Sequence, residues 1–306
     1  MPGPVAEKAN LRNARAERWK NRTAAIRKAG SAPVEEPPPL PQRPRLHGHS
    51  VGGRSRKRVL VIGDSHYTPD HPNHRAHWLG RFVAERNFDL VVDIGDWFDM
   101  HALNTIDKPG SMTFEGARYW MDVDAGLDAQ DRFQWELRSL GAQRPALLRT
   151  LGNHDDRINR VVERDPKLEG LISTRDLLSK EYGWDEYPFG EHVERLGLTF
   201  CHYFPSGNMG RPISGPYAAR WLALKGFGTR IQGHSHELTY YEESPTPGRR
   251  VHGVAVGCYF LHTPDWGKST AHNWRRGLCE LDYVHEGSFD LHFHSIQAIY
   301  AAFTTR

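Results

Sequence analysis

The chain has only 3 cysteines in 306 residues, Cys201, Cys258 and Cys279. They are too few and too scattered for a disulfide framework or a thiolate zinc site. No apolar run approaches the roughly 18 residues needed to span a bilayer, so no membrane partner is expected. The opening stretch MPGPVAEKANLRNARAERWK lacks the apolar core of a secretion signal, and the expected compartment is a reducing cytoplasm. No internal repeat is visible. A hydrophobic content of 38% with 25% charged residues fits an ordinary globular protein.

Net charge is also scarce, at +3, but that total hides an asymmetry. Residues 1–58 hold 14 Lys/Arg against 4 Asp/Glu, and the remainder holds 26 against 33. A basic arm joined to an acidic body is the expectation. Within the arm, AEKANLRNARAERWKNRTAAIRKA has the composition of a basic helix with few apolar positions to dock. The following SAPVEEPPPLPQRPRLHGHSVGGRSRKR is an extended Pro/Gly-rich linker. The predicted division is an arm at 1–57 and a folded domain at 58–306.

In the body, strand and helix patterns alternate. RVLVIGD, FDLVVDIGD and PALLRTLGNHD read as buried strands, and HRAHWLGRFVAERN has helical spacing. Residues 113–140 carry Trp120, Val123, Leu127, Phe133, Leu137 and Leu140 mostly at three- and four-residue steps, which predicts a long amphipathic helix. Two helical stretches are expected between Asp156 and about Tyr182. Strands then dominate through LTFCHYF, RIQGH, VHGVAVGCYF, GLCELDYV and SFDLHFHSIQ. This order predicts an α/β fold, a layered α/β/β/α sandwich with mixed sheets between helices.

What is abundant is histidine, 18 in all, and several lie in short polar clusters that follow strands. GDSH (63–66), GDWFD (95–99), GNHD (152–155), His202 and GHSH (233–236) are such clusters. Loops at the carboxyl ends of strands in an open α/β sheet converge on one crevice, so Asp64, His66, Asp96, Asn153, His202, His234 and His236 are expected to meet. Imidazoles, carboxylates and an amide oxygen without thiolate suit first-row cations such as Mn²⁺, Fe, Zn²⁺ or Co²⁺. The donors outnumber the needs of one ion. A bridging carboxylate can hold two ions about 3.5–4 Å apart, an arrangement that clamps phosphoryl groups. Taken singly, Asp64, Asp96, Asp99 or Asn153 could instead cap a helix.

The ordered set Asp-x-His, Gly-Asp-x-x-Asp, Gly-Asn-His-Asp, His and Gly-His-x-His resembles the calcineurin-like metallophosphoesterase family, from about Val59 to His236. The resemblance implies that Asp64, His66, Asp96 and His236 hold a first divalent metal ion, Mn²⁺ foremost. Asp96 would bridge, and Asn153, His202 and His234 would complete a second. It further implies that His154 is catalytic, facing the substrate with its orientation fixed by Asp99, and that a hydroxide between the two ions is the nucleophile. Tyr203 departs from the family, which often has glycine there, and DMHAL after the second motif departs from the nuclease and phosphoprotein-phosphatase branches. HALNTIDKPGSMTFEGARYW, GNHDDR and NWRRGLCEL are more loosely similar to phosphoesterases encoded by phages and prophages, which would make the compartment a host cytoplasm.

The expected function is therefore hydrolysis of a phosphoester substrate. Nucleic acid is favoured, as for an exonuclease or phosphodiesterase, with DNA or RNA drawn to the basic arm. A phosphomonoesterase acting on a small molecule or phosphoprotein is the alternative, and a silent binding scaffold of the same fold is the second. Arg157 is a candidate phosphate contact. Trp266, Trp274, Arg275 and Arg276 could form an aromatic–basic rim that stacks bases, or simply pack. His71, His74 and His77 are expected on a solvated helical face, and His292 and His294 on the exposed face of the last strand.

Overall fold

A computed structural model describes residues 57–304 apart from 106, 108, 109, 265, 266 and 268, together with Glu17, Lys20, Asn21, Arg22 and Ala24. Most of the expected arm and linker, with His47 and His49, lies outside the described residues, as does Trp266.

A six-stranded sheet is ordered β13-β12-β1-β2-β3-β4, comprising Ser288–Ser295, Gly277–His285, Lys57–Ile62, Leu90–Asp93, Ala146–Thr150 and Trp184–Tyr187. β1 to β4 run parallel, while β12 is antiparallel to both β1 and β13. Val59–Ile62 are fully buried, as expected of a strand covered on both faces. Their alternation splits the core. Leu60 and Ile62 face helices α1 (His74–Arg86) and α2 (Tyr119–Leu137), in a cluster with Leu79, Phe82 and Phe133. Val59 and Val61 face the opposite way, with Val92, Phe200, Ile231 and Val254, and fill the space between the two sheets.

The second sheet is ordered β10-β11-β9-β6-β5, comprising Leu238–Thr246, Arg249–Val256, Thr229–Gln232, Leu198–Phe200 and Val193–Arg195. Helix α4 (Ala218–Gly226) covers its outer face. That contact is close: a β-carbon on Gly253 would lie 1.8 Å from the Ala219 carbonyl. The layers are helix, sheet, sheet, helix, as expected, with a small hairpin of β7 (Pro205–Ser206) and β8 (Arg211–Pro212) beside them. Among the described residues no helix is long and apolar enough to cross a membrane.

Some expectations fail locally. Only one of the two helical stretches after Asp156 is an α-helix, α3 (Arg157–Arg164); the other is a set of short 3₁₀ turns at Pro166–Leu168 and Thr174–Leu177. SFDLHFHSIQ ends as a strand at Ser295, and α5 (Ile296–Thr304) starts at the next residue. His294 does not line an exposed face: its Nε2 is 2.8 Å from Glu280 and its ring packs on Phe82. His71 and His74 are exposed as expected, although His71 lies before α1 and stacks on His262, while His77 pairs with Glu136 at 2.9 Å.

Candidate metal centre

The parallel strands deliver their chemistry at one end. Asp64 follows β1, Asp96 follows β2, Asn153 and His154 follow β3, His202 follows β6, and His234 and His236 follow β9. Asp64 forms an isolated bridge with Cys258 just past β11, so the ends of the two sheets are joined there. His66, Asp96, His234 and His236 all have left-handed backbones, with φ of 43°, 56°, 66° and 59°. Such conformations in non-glycine residues are costly and concentrate at functional sites.

All seven sequence-predicted ligands meet, in two groups. In the first, Asp64 Oδ2 lies 2.8 Å from His236 Nε2, which is 3.3 Å from His66 Nε2. In the second, Asn153 Oδ1 is 2.9 Å from His202 Nε2 and 2.8 Å from His234 Nδ1. Asp96 stands between the groups, with Oδ2 at 4.0 Å from His66 Nε2 and 3.4 Å from His202 Nε2. The turn through Ser235 explains the GHSH spacing: with both neighbours left-handed, His234 faces the second group and His236 the first.

Hydrogen bonds fix which ring nitrogens carry lone pairs. His202 Nδ1 is 3.0 Å from the Ile94 carbonyl, which can only accept, so Nδ1 is the donor and Nε2 presents its lone pair to Asn153 and Asp96. His66 Nδ1 donates to Asp99 Oδ1 at 2.9 Å, which leaves Nε2 as a lone pair aimed at His236. Asp64 Oδ2 is buried, with His236 Nε2 2.8 Å away. His202 Nε2 therefore faces Asn153 Oδ1 and Asp96 Oδ2 acceptor to acceptor, which inside a buried pocket is unfavourable unless a cation lies among them. The donor set thus fits divalent cations.

The electrostatics agree. Burial, and then the charge of His154, hold His66 down at about 3, and burial with His202 beside it holds His234 at about 3, so both imidazoles are neutral at pH 7. Burial pulls Asp64 upward, but His236 followed by His202 and His66 overrides it and keeps the carboxyl well below its ordinary range. Burial pushes Asp96 up to about 7 despite His154, with the neighbouring Asp64 carboxylate adding to the rise.

His154 is brought to the same pocket, its ring 4.4 Å from that of His66 and one ring nitrogen within 4.8 Å of ligand atoms of His66 and Asp96, but both its nitrogens have other partners. Nδ1 donates to the Asp99 carbonyl at 2.8 Å and is 3.1 Å from Asp99 Oδ1, while Nε2 is 3.2 Å from Arg157 Nη2, a donor. Asp99 therefore serves two histidines through one oxygen. Hydrogen bonds from His154 and His66 outweigh its burial and hold it ionised. Arg157, the candidate phosphate contact, is buried, and its Nη1 donates to the carbonyls of Asp99 and Met100 at 3.0 and 3.2 Å.

Sequence reasoning passed over Asp155. It accepts backbone N–H bonds from Asp96 at 2.8 Å, Phe98 at 3.1 Å and Gly152 at 2.8 Å, and so ties the second and third loops together. Burial beside Asp96 and Asp93 pushes it up to about 8. The visible signal was the carboxylate that ends GNHD, which had no assigned task. Gly152 is equally constrained, because a β-carbon there would lie 2.0 Å from Asp96 Oδ1.

Residues 57–238 match the family model described as calcineurin-like phosphoesterase. No curated protein matches the chain. Among solved structures, 8 chains match. One of them, a crystal structure, shares 12% identity over 79% of this chain and 100% of its own, with a TM-score of 0.37, and is too distant to carry an argument.

Proposed function

The chain belongs to the calcineurin-like phosphoesterase family, hydrolases of phosphoester bonds, and from that premise we propose that it is a dinuclear metal-dependent phosphodiesterase acting on nucleic acid. The observation that carries the metal reading is the convergence of buried carboxylates and imidazoles, Asp64, His66 and His236 in one group and Asp64, Asp96 and His202 in another, with the Nε2 lone pairs of His66 and His202 turned inward. Asp64, His66 and His236 would hold one ion, Asn153, His202 and His234 the other, and Asp96 both, with Mn²⁺ the first choice. Bound there, the two cations would activate water near neutral pH and neutralise the phosphoryl oxygens.

The protein's own contribution is orientation and proton transfer. His154, its Nδ1–H fixed by Asp99, is held beside the pocket, where the imidazolium, with Nε2 protonated and released from Arg157, would donate a proton to the leaving oxygen or stabilise the phosphoryl charge. Asp99 fixes its tautomer, and Arg157 holds the ring and the Asp99–Met100 backbone in place. Nucleic acid is the favoured substrate because residues 1–58 carry 14 Lys/Arg against 4 Asp/Glu, a density that binds phosphate backbones.

The test pairs two variants with a substrate panel. Asp96→Asn is expected to lose bound metal and turnover together, whereas His154→Ala keeps its metal by elemental analysis and loses roughly 10²–10⁴-fold in kcat. Metal loss in His154→Ala would remove it from the proton-transfer role, and full activity in Asp96→Asn would end the dinuclear model. Single-stranded DNA, duplex DNA, RNA and simple aryl mono- and diesters, each with added Mn²⁺, decide the substrate. A preference for monoesters would overturn the nucleic-acid reading.

A further inference from the structure

The two ends of the metal cluster carry matching walls of a kind the hydrolytic chemistry does not require. At the second group, Tyr203 packs its ring 4.9 Å from His234 and 5.5 Å from Phe189, and the Arg160 guanidinium lies 5.3 Å over Phe189. At the first group, Trp274 sits edge-on to His236 at 4.8 Å and 5.4 Å from Phe260, with the Arg276 guanidinium 5.9 Å from both rings. These aromatic residues come from three connections, after β4, β6 and β11, and Arg160 from helix α3.

Their burial separates support from surface. Phe260 is fully buried beneath the first group, against His66 and His236. Tyr203, Phe189 and Trp274 are each half-buried, as are Arg160 and Arg276. Rings that only sealed the core would be enclosed like Phe260. Trp274 is also given room by design of the backbone: a β-carbon on Gly267 would lie 2.1 Å from its Cη2. Arg275 takes no part, since it lies over Phe293 at 4.7 Å.

We propose that Tyr203 with Phe189 on one side, and Trp274 on the other, form two stacking subsites that hold the bases flanking the scissile phosphate of a nucleic-acid strand. The phosphate would lie on the cluster between them, and Arg160 and Arg276 would reinforce the stacked faces through cation–π contact. A diester presents two substituents and fills both subsites; a monoester presents one. The inference rests on the phosphodiesterase reading of the same site and names what that site recognises.

The experiment compares a thymidine dinucleotide with the same diester lacking one or the other base, using the full chain loaded with Mn²⁺. Each base should raise kcat/KM about tenfold or more, the range known for base–aromatic stacking. Tyr203→Leu should abolish the dependence on one base and Trp274→Leu the dependence on the other, while Tyr203→Phe and Trp274→Phe, which keep a ring, preserve most of it. A merely structural role would lower all rates in parallel and leave the base ratios unchanged. Calorimetric binding of a hydrolysis-resistant dinucleotide should follow the same ratios. Hydrolysis with base ratios near one, or of monoesters alone, would overturn the subsites. No hydrolysis of any phosphoester would instead remove the phosphodiesterase reading beneath them.

Discussion

At the scale of single residues, the site is assembled against local preference. His66, Asp96, His234 and His236 adopt left-handed backbones, each costing about 1–2 kcal/mol for a residue with a β-carbon. The surrounding hydrogen bonds enforce them, and Asp155 is the residue most heavily used for this, with three backbone N–H donors. Asp155→Asn places an amide donor among those donors, so unfolding free energy should fall by about 2–3 kcal/mol and metal affinity should fall with it. Denaturant titration and elemental analysis check both; unchanged metal content would show that the loops hold without it. Gly152→Ala is the sharper probe of geometry. Its β-carbon would press on Asp96 Oδ1 and, at 2.4 Å, on the Asp96 amide nitrogen, so the bridging carboxylate must move. At least a tenfold loss of metal affinity is expected, in the range of other disturbances to ligand support, and wild-type affinity would show that the loop yields freely.

At the scale of elements, the sequence was legible where an element is regular and buried. β1, β2 and β3 are apolar runs ending in Gly-Asp or Gly-Asn, and all seven expected ligands came together because strand ends in a parallel sheet must converge. It was illegible where an element lies at an edge or lacks a boundary signal. β4 (WDEY) is an edge strand with only Trp184 buried, and β10 is an edge strand that is mostly exposed, so neither shows a clean period. α5 follows β13 with no glycine or proline between them. Arg149 illustrates a further blind spot: a lone cation in an apolar strand reads as a solvent-facing position. It is fully buried instead, 2.6 Å from Asp93 and stacked on Trp184 and Trp97 at 4.6 and 5.1 Å, with Ser179 at 3.0 Å. Arg149→Leu leaves Asp93 buried and unpaired, at an expected cost of about 3–5 kcal/mol. Adding Asp93→Asn should recover part of that loss in thermal denaturation. Independent, additive losses would show that the pair is not coupled.

At the scale of the whole molecule, the start of the body is fastened across several elements at once. Arg58 in β1 bonds Glu280 in β12 and the Arg86 carbonyl at the end of α1; Glu280 is also reached by Arg86 at 3.4 Å and by His294 of β13 at 2.8 Å. The arm, expected to have little to dock with, has one described anchor, an ion pair from Arg22 to Asp131 on α2. Glu280 is the hub of the first network. Burial alone would raise its pKa, but hydrogen bonds from His294 and Arg58 prevail and hold it at about 2, against an ordinary 4.5. A carboxyl depressed by folding stabilises the native state fully above its unfolded pKa and loses that contribution as pH falls through the folded value. The window is therefore roughly pH 5 down to 2, and the contribution is about 2–3 kcal/mol, allowing for partial exposure of Arg58. Glu280→Gln should be less stable than wild type by that amount at pH 7, and the gap should close as the pH is lowered toward 2. Other carboxylates titrate in both proteins and cancel in the difference, so denaturation curves that stay parallel from pH 7 to pH 2.5 would show that Glu280 is not the fastening charge.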